Sequence, residues 1–245
     1  MIISAAQPQP FKGDFQKNIE AHLHLIGLAL EKEAELIVFP ELSVSGYEPS
    51  LARELATTPD DHRFDVFQDL CDTKGVTIAI GAPLIYNQEV SIGMVIFRPQ
   101  LERYAYLKKY LHHTETEFFV SGGGPTNLSV NNVNTGPAIC YEISVPEHQK
   151  TAAENGAEIY FAGIVEDKKG IDRTLNKMSA TAQKYSMVCL MSNCVGISGN
   201  FDCAGKSSIW NREGKLVGQL NGVETGVLVY DTGSSPPSAS PPRGA

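Results

Sequence analysis

Apolar residues in this chain fall into short unbroken runs, separated by stretches in which they recur every three or four positions. The runs Ile2 to Ala6, Leu36 to Phe39, Val76 to Ile80 and Ile92 to Phe97 have the pattern of strands buried on both faces. Arg103 to Leu107, Leu128 to Val133, the run into Cys140, Glu158 to Ala162, Met187 to Asn193 and Gly226 to Tyr230 extend the series. Lys206 to Trp210 and Lys215 to Leu220 read as a hairpin around Gly214. Helical spacing predicts four segments. One starts at an Asp14 cap and carries Ile19, Leu23, Ile26, Leu28 and Leu30 toward Glu35; the others cover 63–74, 146–155 and 171–185. Strands that alternate with helices in this way define an α/β protein.

Size and charge narrow the class. At 245 residues and 42% hydrophobic, the chain can build one large core. Residues 1–232 read as that domain, followed by a flexible Pro- and Ser-rich tail over 233–245. Twenty basic against twenty-eight acidic residues, a net charge of −8, leave no electrostatic footprint for nucleic acid or an anionic membrane. No apolar run approaches the roughly 20 residues of a membrane span. The opening residues lack the basic and apolar regions of a secretory leader. Five scattered cysteines, an odd number with no CxxC pair, suit reduced thiols in a cytoplasm and give neither a disulfide framework nor a metal site.

Three reactive side chains stand just past apolar runs: Glu41 after Leu36 to Pro40, Lys108 after Arg103 to Leu107, and Cys140 after the run through Ile139. In layered α/β proteins, reactive groups gather where strands end. A carboxylate, an ammonium and a thiol in one place suit acyl transfer: Glu41 takes the thiol proton, Cys140 attacks, and Lys108 stabilises the charge that develops. The backbone N–H of Tyr141 is placed as a second donor. Each residue alone has a plainer reading, since free cysteine is usually buried packing and lysine pairs are usually solvated. His112 and His113 invite a Cys–His protease reading, but no orienting Asn or carboxylate accompanies them. Gly122 to Gly124 lacks the Lys and Ser/Thr of a phosphate loop.

Three segments, FPELSVSGYEP at 39–49, YLKKYLHHTETEFFVSGG at 106–123 and GPAICYEISVPE at 136–147, resemble the signature regions of the nitrilase superfamily, the carbon–nitrogen hydrolases, in that family's order. The resemblance implies a four-layer α-β-β-α sandwich with two central mixed sheets. It also implies a homodimer or larger assembly through helices on one face. Carried over residue by residue, it makes Glu41 the general base, Lys108 the catalytic lysine with Lys109 as the alternative, and Cys140 the nucleophile. Glu115 becomes a second glutamate supporting the lysine and the substrate amine, with Glu117 as the alternative. Tyr47, Tyr141, Glu142, Gly163 and Ile164 become candidate substrate contacts. The activity implied is cofactor-free and metal-free hydrolysis of a small non-peptide amide through a cysteine thioester. An N-carbamoyl-amine hydrolase, a nitrilase or an acyltransferase are the rivals within the family, and a catalytically silent binding protein is the rival outside it. Glu142 and the Glu166-Asp167 pair would favour a cationic substrate if they faced it, although acidic loop residues are generally solvated.

Overall fold

In the computed structural model, which describes residues 1–233, two six-stranded sheets lie face to face with helices outside. The first sheet is built from β1 (Ile2–Gln7), β2 (Leu36–Val38), β3 (Thr77–Tyr86), β4 (Glu89–Phe97) and β5 (Tyr104–Leu107), closed by the late strand β14 (Gly226–Asp231) in the order β14-β1-β2-β3-β4-β5. The second contains β6 (Leu128–Val130), β7 (Val133–Ile139), β8 (Ile159–Gly163), β9 (Val188–Ser192), β12 (Ser208–Trp210) and β13 (Leu216–Gln219), in the order β13-β12-β9-β8-β7-β6. Each sheet has a parallel centre, β1-β2-β3 or β7-β8-β9, flanked by antiparallel strands.

Why four layers form is visible in the alternation along single strands. Leu36 and Val38 enter one core while Ile37 and Phe39 enter another. In the second sheet, Ile159 and Phe161 face the same inter-sheet core as Leu36, whereas Tyr160 and Ala162 face a third. Successive strand residues point to opposite faces, so a strand apolar at every position must be covered on both sides. The inner core fills the space between the sheets. The outer two are covered by α1 (Phe15–Leu30) and α3 (Asp65–Lys74) on one side, and by α4 (Pro146–Glu154) and α5 (Ile171–Tyr185) on the other. A further short helix, α2 (Ala52–Leu55), sits beside the loop after β2.

Asp14 caps α1 as expected, accepting from Lys17 N at 3.1 Å, but the helix stops at Leu30 and the chain turns before β2. Strands β3 and β4 run several residues beyond their apolar runs because they pair with each other from Ile78–Phe97 to Tyr86–Glu89. A small hairpin, β10 (Val195–Ser198) with β11 (Phe201–Ala204), occupies a segment for which the apolar pattern predicts no strand. Its strands are four residues each and Gly196 interrupts the first, so neither periodicity marks them. The Pro- and Ser-rich segment beyond residue 233 lies outside the described residues. Among the described residues no helix is long and apolar enough to cross a membrane.

Candidate active site

Strand ends bring the reactive groups together. Glu41 lies three residues past β2, Lys108 one past β5, and Cys140 one past β7, all beside a cavity of about 750 Å³ to which Glu41, Glu115 and Cys140 contribute directly. Alternation along β5 decides which lysine enters. Tyr106 faces the inter-sheet core and Leu107 the outer one, so Lys108 turns inward with Tyr106. Lys109 is exposed, its ammonium 5.3 Å from the Tyr110 ring.

Lys108 is fully buried and donates to Glu41 Oε1 and to Glu115 Oε1, each at 2.7 Å. Glu115 is held in turn by Tyr47 Oη at 2.9 Å and by the backbone N–H of His112 at 2.8 Å. Glu117 is exposed and takes no part. The second oxygen of Glu41, Oε2, is buried without a hydrogen-bond partner, an open acceptor beside the cavity.

Cys140 adopts a left-handed backbone with φ of +45°, a conformation that costs a side chain strain and persists where packing imposes it. Strand β7 ends at Ile139 and a 3-10 turn over Cys140–Ser144 begins at once, so the thiol is set out of the sheet before α4 starts at Pro146. Of the five cysteines Cys140 alone is not fully buried; its Sγ lies 3.8 Å from the Val165 carbonyl, to which it donates.

The electrostatics are those of a closely coupled group. Burial pushes the Glu41 carboxyl up to about 7, with Lys108 opposing and Glu115 reinforcing the rise. Burial by itself would lower Lys108, but attraction from Glu41, Cys140 and Glu115 outweighs it and holds the ammonium above its ordinary value. Burial also pushes the Cys140 thiol well up, and repulsion from Glu41 adds to this more than Lys108 relieves it. The resting trio is therefore a neutral thiol, a charged lysine and a carboxyl poised near neutrality.

The expected substrate contacts divide. Tyr47, Tyr141 and Ile164 line the cavity. Glu142 does not: it is fully buried and accepts from Ile139 N at 2.8 Å, Tyr106 Oη at 2.7 Å and Lys109 N at 2.7 Å. It therefore ties the segment carrying Cys140 to the segment carrying Lys108, a structural part that its place beside the cysteine does not reveal. Gly163 also lies behind the site. A Cβ there would stand 2.5 Å from Phe39 O and 3.1 Å from Glu41 N, so the residue must be small for β8 to approach the Pro40–Glu41 segment. Gly163→Ala is expected to displace Glu41 and lower kcat by roughly 10²-fold, on the scale of ångström misplacements. Gly27→Ala, on α1 with nothing within 4 Å of the added carbon, serves as the control and should leave kcat alone.

A supporting chain that the sequence gives no sign of reaches the Glu41 loop from α1. Burial lowers His22 to about 4, which keeps the ring neutral. Its Nδ1 donates to Asn18 O at 2.6 Å, so Nε2 accepts from Ser43 Oγ at 2.9 Å, and Ser43 Oγ accepts from Gly81 N at 3.1 Å. His112 lines the cavity edge, its ring 5.3 Å from that of Tyr141, and its Nδ1 is paired with Thr114 Oγ1 at 2.8 Å.

A four-layer sandwich with a thiol, an ammonium and a carboxylate at its strand ends, and a second carboxylate brought in by the loop after β5, defines a hydrolase of the α/β class. The carbon-nitrogen hydrolase family model matches residues 2–234, and the chain belongs to that family. Among its relatives, a hydrolase encoded in the agr operon of Staphylococcus aureus is 26% identical over 216 residues, covering 85% of this chain and 82% of that protein. An (R)-stereoselective amidase from a Pseudomonas species is 26% identical over 201 residues, covering 80% of this chain and 72% of that protein. The fold is shared with the amidase of Nesterenkonia sp. AN1, solved with butyramide, at a TM-score of 0.83 and 24% identity over 94% of this chain and 89% of that one.

Proposed function

We propose that this carbon–nitrogen hydrolase is an amidase that cleaves a small non-peptide amide to a carboxylic acid and ammonia. The observation that carries the reading is Lys108 shared between two buried carboxylates beside a half-buried, strained cysteine. Glu41 accepts the Cys140 proton as Sγ bonds to the amide carbon. Lys108 Nζ and the Tyr141 N–H stabilise the negative oxygen. The C–N bond then breaks and nitrogen leaves with the proton held by Glu41. Water, deprotonated by Glu41, attacks the thioester, and the acid departs as the thiol re-forms. Glu115 keeps Lys108 aimed throughout.

A base pushed up to about 7 sets the pH dependence. Activity needs Glu41 unprotonated, so kcat/KM should rise with pH through about 7 and level off above it; a profile flat from pH 5 to 8 would remove Glu41 from the base role. The direct test is Glu41→Gln soaked with small amides and read by intact-mass spectrometry. The expected result is one acyl group on Cys140, because the thioester forms slowly and is not hydrolysed. An unmodified mass with every amide, together with no selective iodoacetamide labelling of Cys140 in the unaltered protein, would favour a catalytically silent binding protein. Release of carbon dioxide with ammonia would instead mark a carbamoyl-amine hydrolase. The chain is also proposed to work in the cytoplasm as a homodimer through the outward faces of α4 and α5, which sedimentation would show as twice the mass of one chain.

A further inference from the structure

The cavity extends well beyond the reacting groups, and its outer wall is cationic. Lys169, Arg173 and Lys177 line it from the start of α5 and the loop before it. Neighbouring charges are spoken for: Lys168 pairs with Asp202 at 2.7 Å, and Asp172 with Lys206 at 3.2 Å. Among the described residues none of the three wall cations has a carboxylate within ion-pair distance, whereas Lys108 deeper in has two.

Arg173 and Lys177 stand one helical turn apart, so their side chains share a face and repel each other. Lys177 is half-buried, and its ammonium donates to the Ser144 hydroxyl at 2.7 Å, at the far end of the Cys140 turn. A hydroxyl offers no countercharge. Burial and the neighbouring Arg173 both push Lys177 below its ordinary value, and Glu166 offsets this only in part.

Two acids line the same wall, one engaged with the first turn of α5 and the other with the loop just before it. Glu166 Oε2 accepts from Thr174 Oγ1 at 2.8 Å and its Oε1 from Asp167 N at 3.3 Å. Asp167 Oδ1 accepts from Lys169 N at 2.8 Å and Gly170 N at 2.9 Å. Their carboxylates brace the loop, while the cations are left to face the cavity.

We propose that Arg173 and Lys177 bind the carboxylate of the substrate, so that the enzyme acts on amides whose far end is an acid, such as monoamides of dicarboxylic acids. This rests on the amide-hydrolysis reading of the Cys140 site. Two like charges that repel on one helix face are relieved when an anion bridges them, and a planar guanidinium beside an ammonium suits a carboxylate. The cavity is also far larger than an unsubstituted short amide needs.

The test compares kcat/KM for succinamic, glutaramic and adipamic acids with alkyl amides of equal length that carry a methyl group in place of the carboxylate. The expected result is at least a tenfold preference for one of the acids, reduced by added potassium chloride because the contact is ionic. In R173M/K177M the preference should fall to about one, and in R173E/K177E it should invert toward amides bearing a terminal amine. Equal or better turnover of the alkyl amides by the unaltered enzyme would overturn the carboxylate site while leaving the amidase intact. Retention of the preference in R173M/K177M would overturn the assignment to these two residues. Failure to hydrolyse any amide of either series, with no acyl adduct on Glu41→Gln, would remove the amidase reading and this proposal with it.

Discussion

Cys140→Ala is expected to lose amide turnover by on the order of 10⁴-fold or more, the scale seen when a covalent nucleophile is deleted from an otherwise intact site. No other thiol can take its place, since Cys71, Cys189, Cys194 and Cys203 are all buried. The fold should survive. Alanine inherits the same left-handed φ of +45°, so the strain at the end of β7 is unchanged and only the sulfur is lost. Near-normal circular dichroism with no measurable kcat, and no acyl adduct in the mass spectrum, is the predicted combination. Cys140→Ser separates reactivity from position. A hydroxyl is a far weaker nucleophile unless a strong base activates it, and Glu41 is held near 7, so this variant should bind amide yet turn it over barely better than the alanine form. Turnover by Cys140→Ala within tenfold of the unaltered enzyme would mean that another group forms the bond to carbon.

Lys108→Met carries the largest expected effect on stability. The ammonium holds Glu41 and Glu115 together at 2.7 Å each, and both carboxylates are almost wholly buried. A methionine of similar length fills the space and removes the charge. Breaking a buried ion pair by deleting one partner typically costs about 3–5 kcal/mol, because the other charge is left uncompensated. Here two carboxylates are left. The sign of the pH dependence follows from the forces on Glu41, which burial and Glu115 push up and Lys108 pulls down. Without Lys108 the folded-state Glu41 carboxyl titrates still further above its unfolded value. The folded variant then holds protons that the unfolded chain releases, so its stability falls as pH rises through neutrality and recovers toward pH 5. Urea unfolding of Lys108→Met against the unaltered protein at pH 8 and pH 5 should show the deficit shrinking at the lower pH. Activity should be lost at both, by roughly 10²–10³-fold or more, because the charge on the attacked oxygen has no cation. A deficit independent of pH would mean that the ion pairs seen around Lys108 do not govern its cost. Lys109→Met, altering an exposed side chain, should change neither quantity.

Much of this site could be read before any coordinates, and the reasons are local. Glu41, Lys108 and Cys140 each follow an apolar run that is long enough and uniform enough to be a buried strand, and the end of a buried strand is where a polar side chain emerges. The choice of Lys108 over Lys109 was also within reach. Alternation from Tyr106 through Leu107 places Lys108 on the inner face, once it is known that Tyr106 points between the sheets. That last condition is tertiary. Either face of β5 is apolar enough to be buried, so alternation alone leaves the lysines equivalent and before the fold only the resemblance ranks Lys108 first.

Other parts lay beyond any reading of the chain. Glu142 is next but one to Cys140 and shares its motif, yet the tight pitch of the 3-10 turn carries it away from the cavity and into a cluster with Tyr106 and His148. The hairpin of β10 and β11 has no hydrophobic period of its own, because its four-residue strands are too short to show one and Gly196 breaks the first, although Cys203 and Ala204 are buried in the cores. His22 on α1 and Gly81 on β3 hold the Glu41 loop through Ser43, and nothing in their spacing joins them.

The order of strands and helices, the burial of both sheets on both faces and the identity of the reactive side chains were set by the linear pattern, because each depends on near neighbours and on a period of 2 or 3.6 residues. Convergence was decided in three dimensions: a carboxylate after β2, an amine after β5 and a thiol after β7 meet because two sheets stack with those strand ends at one edge. So were the open second oxygen of Glu41, the small residue required at Gly163 and the cations of α5 that have no carboxylate partner among the described residues. Each is a relation between segments far apart along the chain, and packing alone brings such segments into contact.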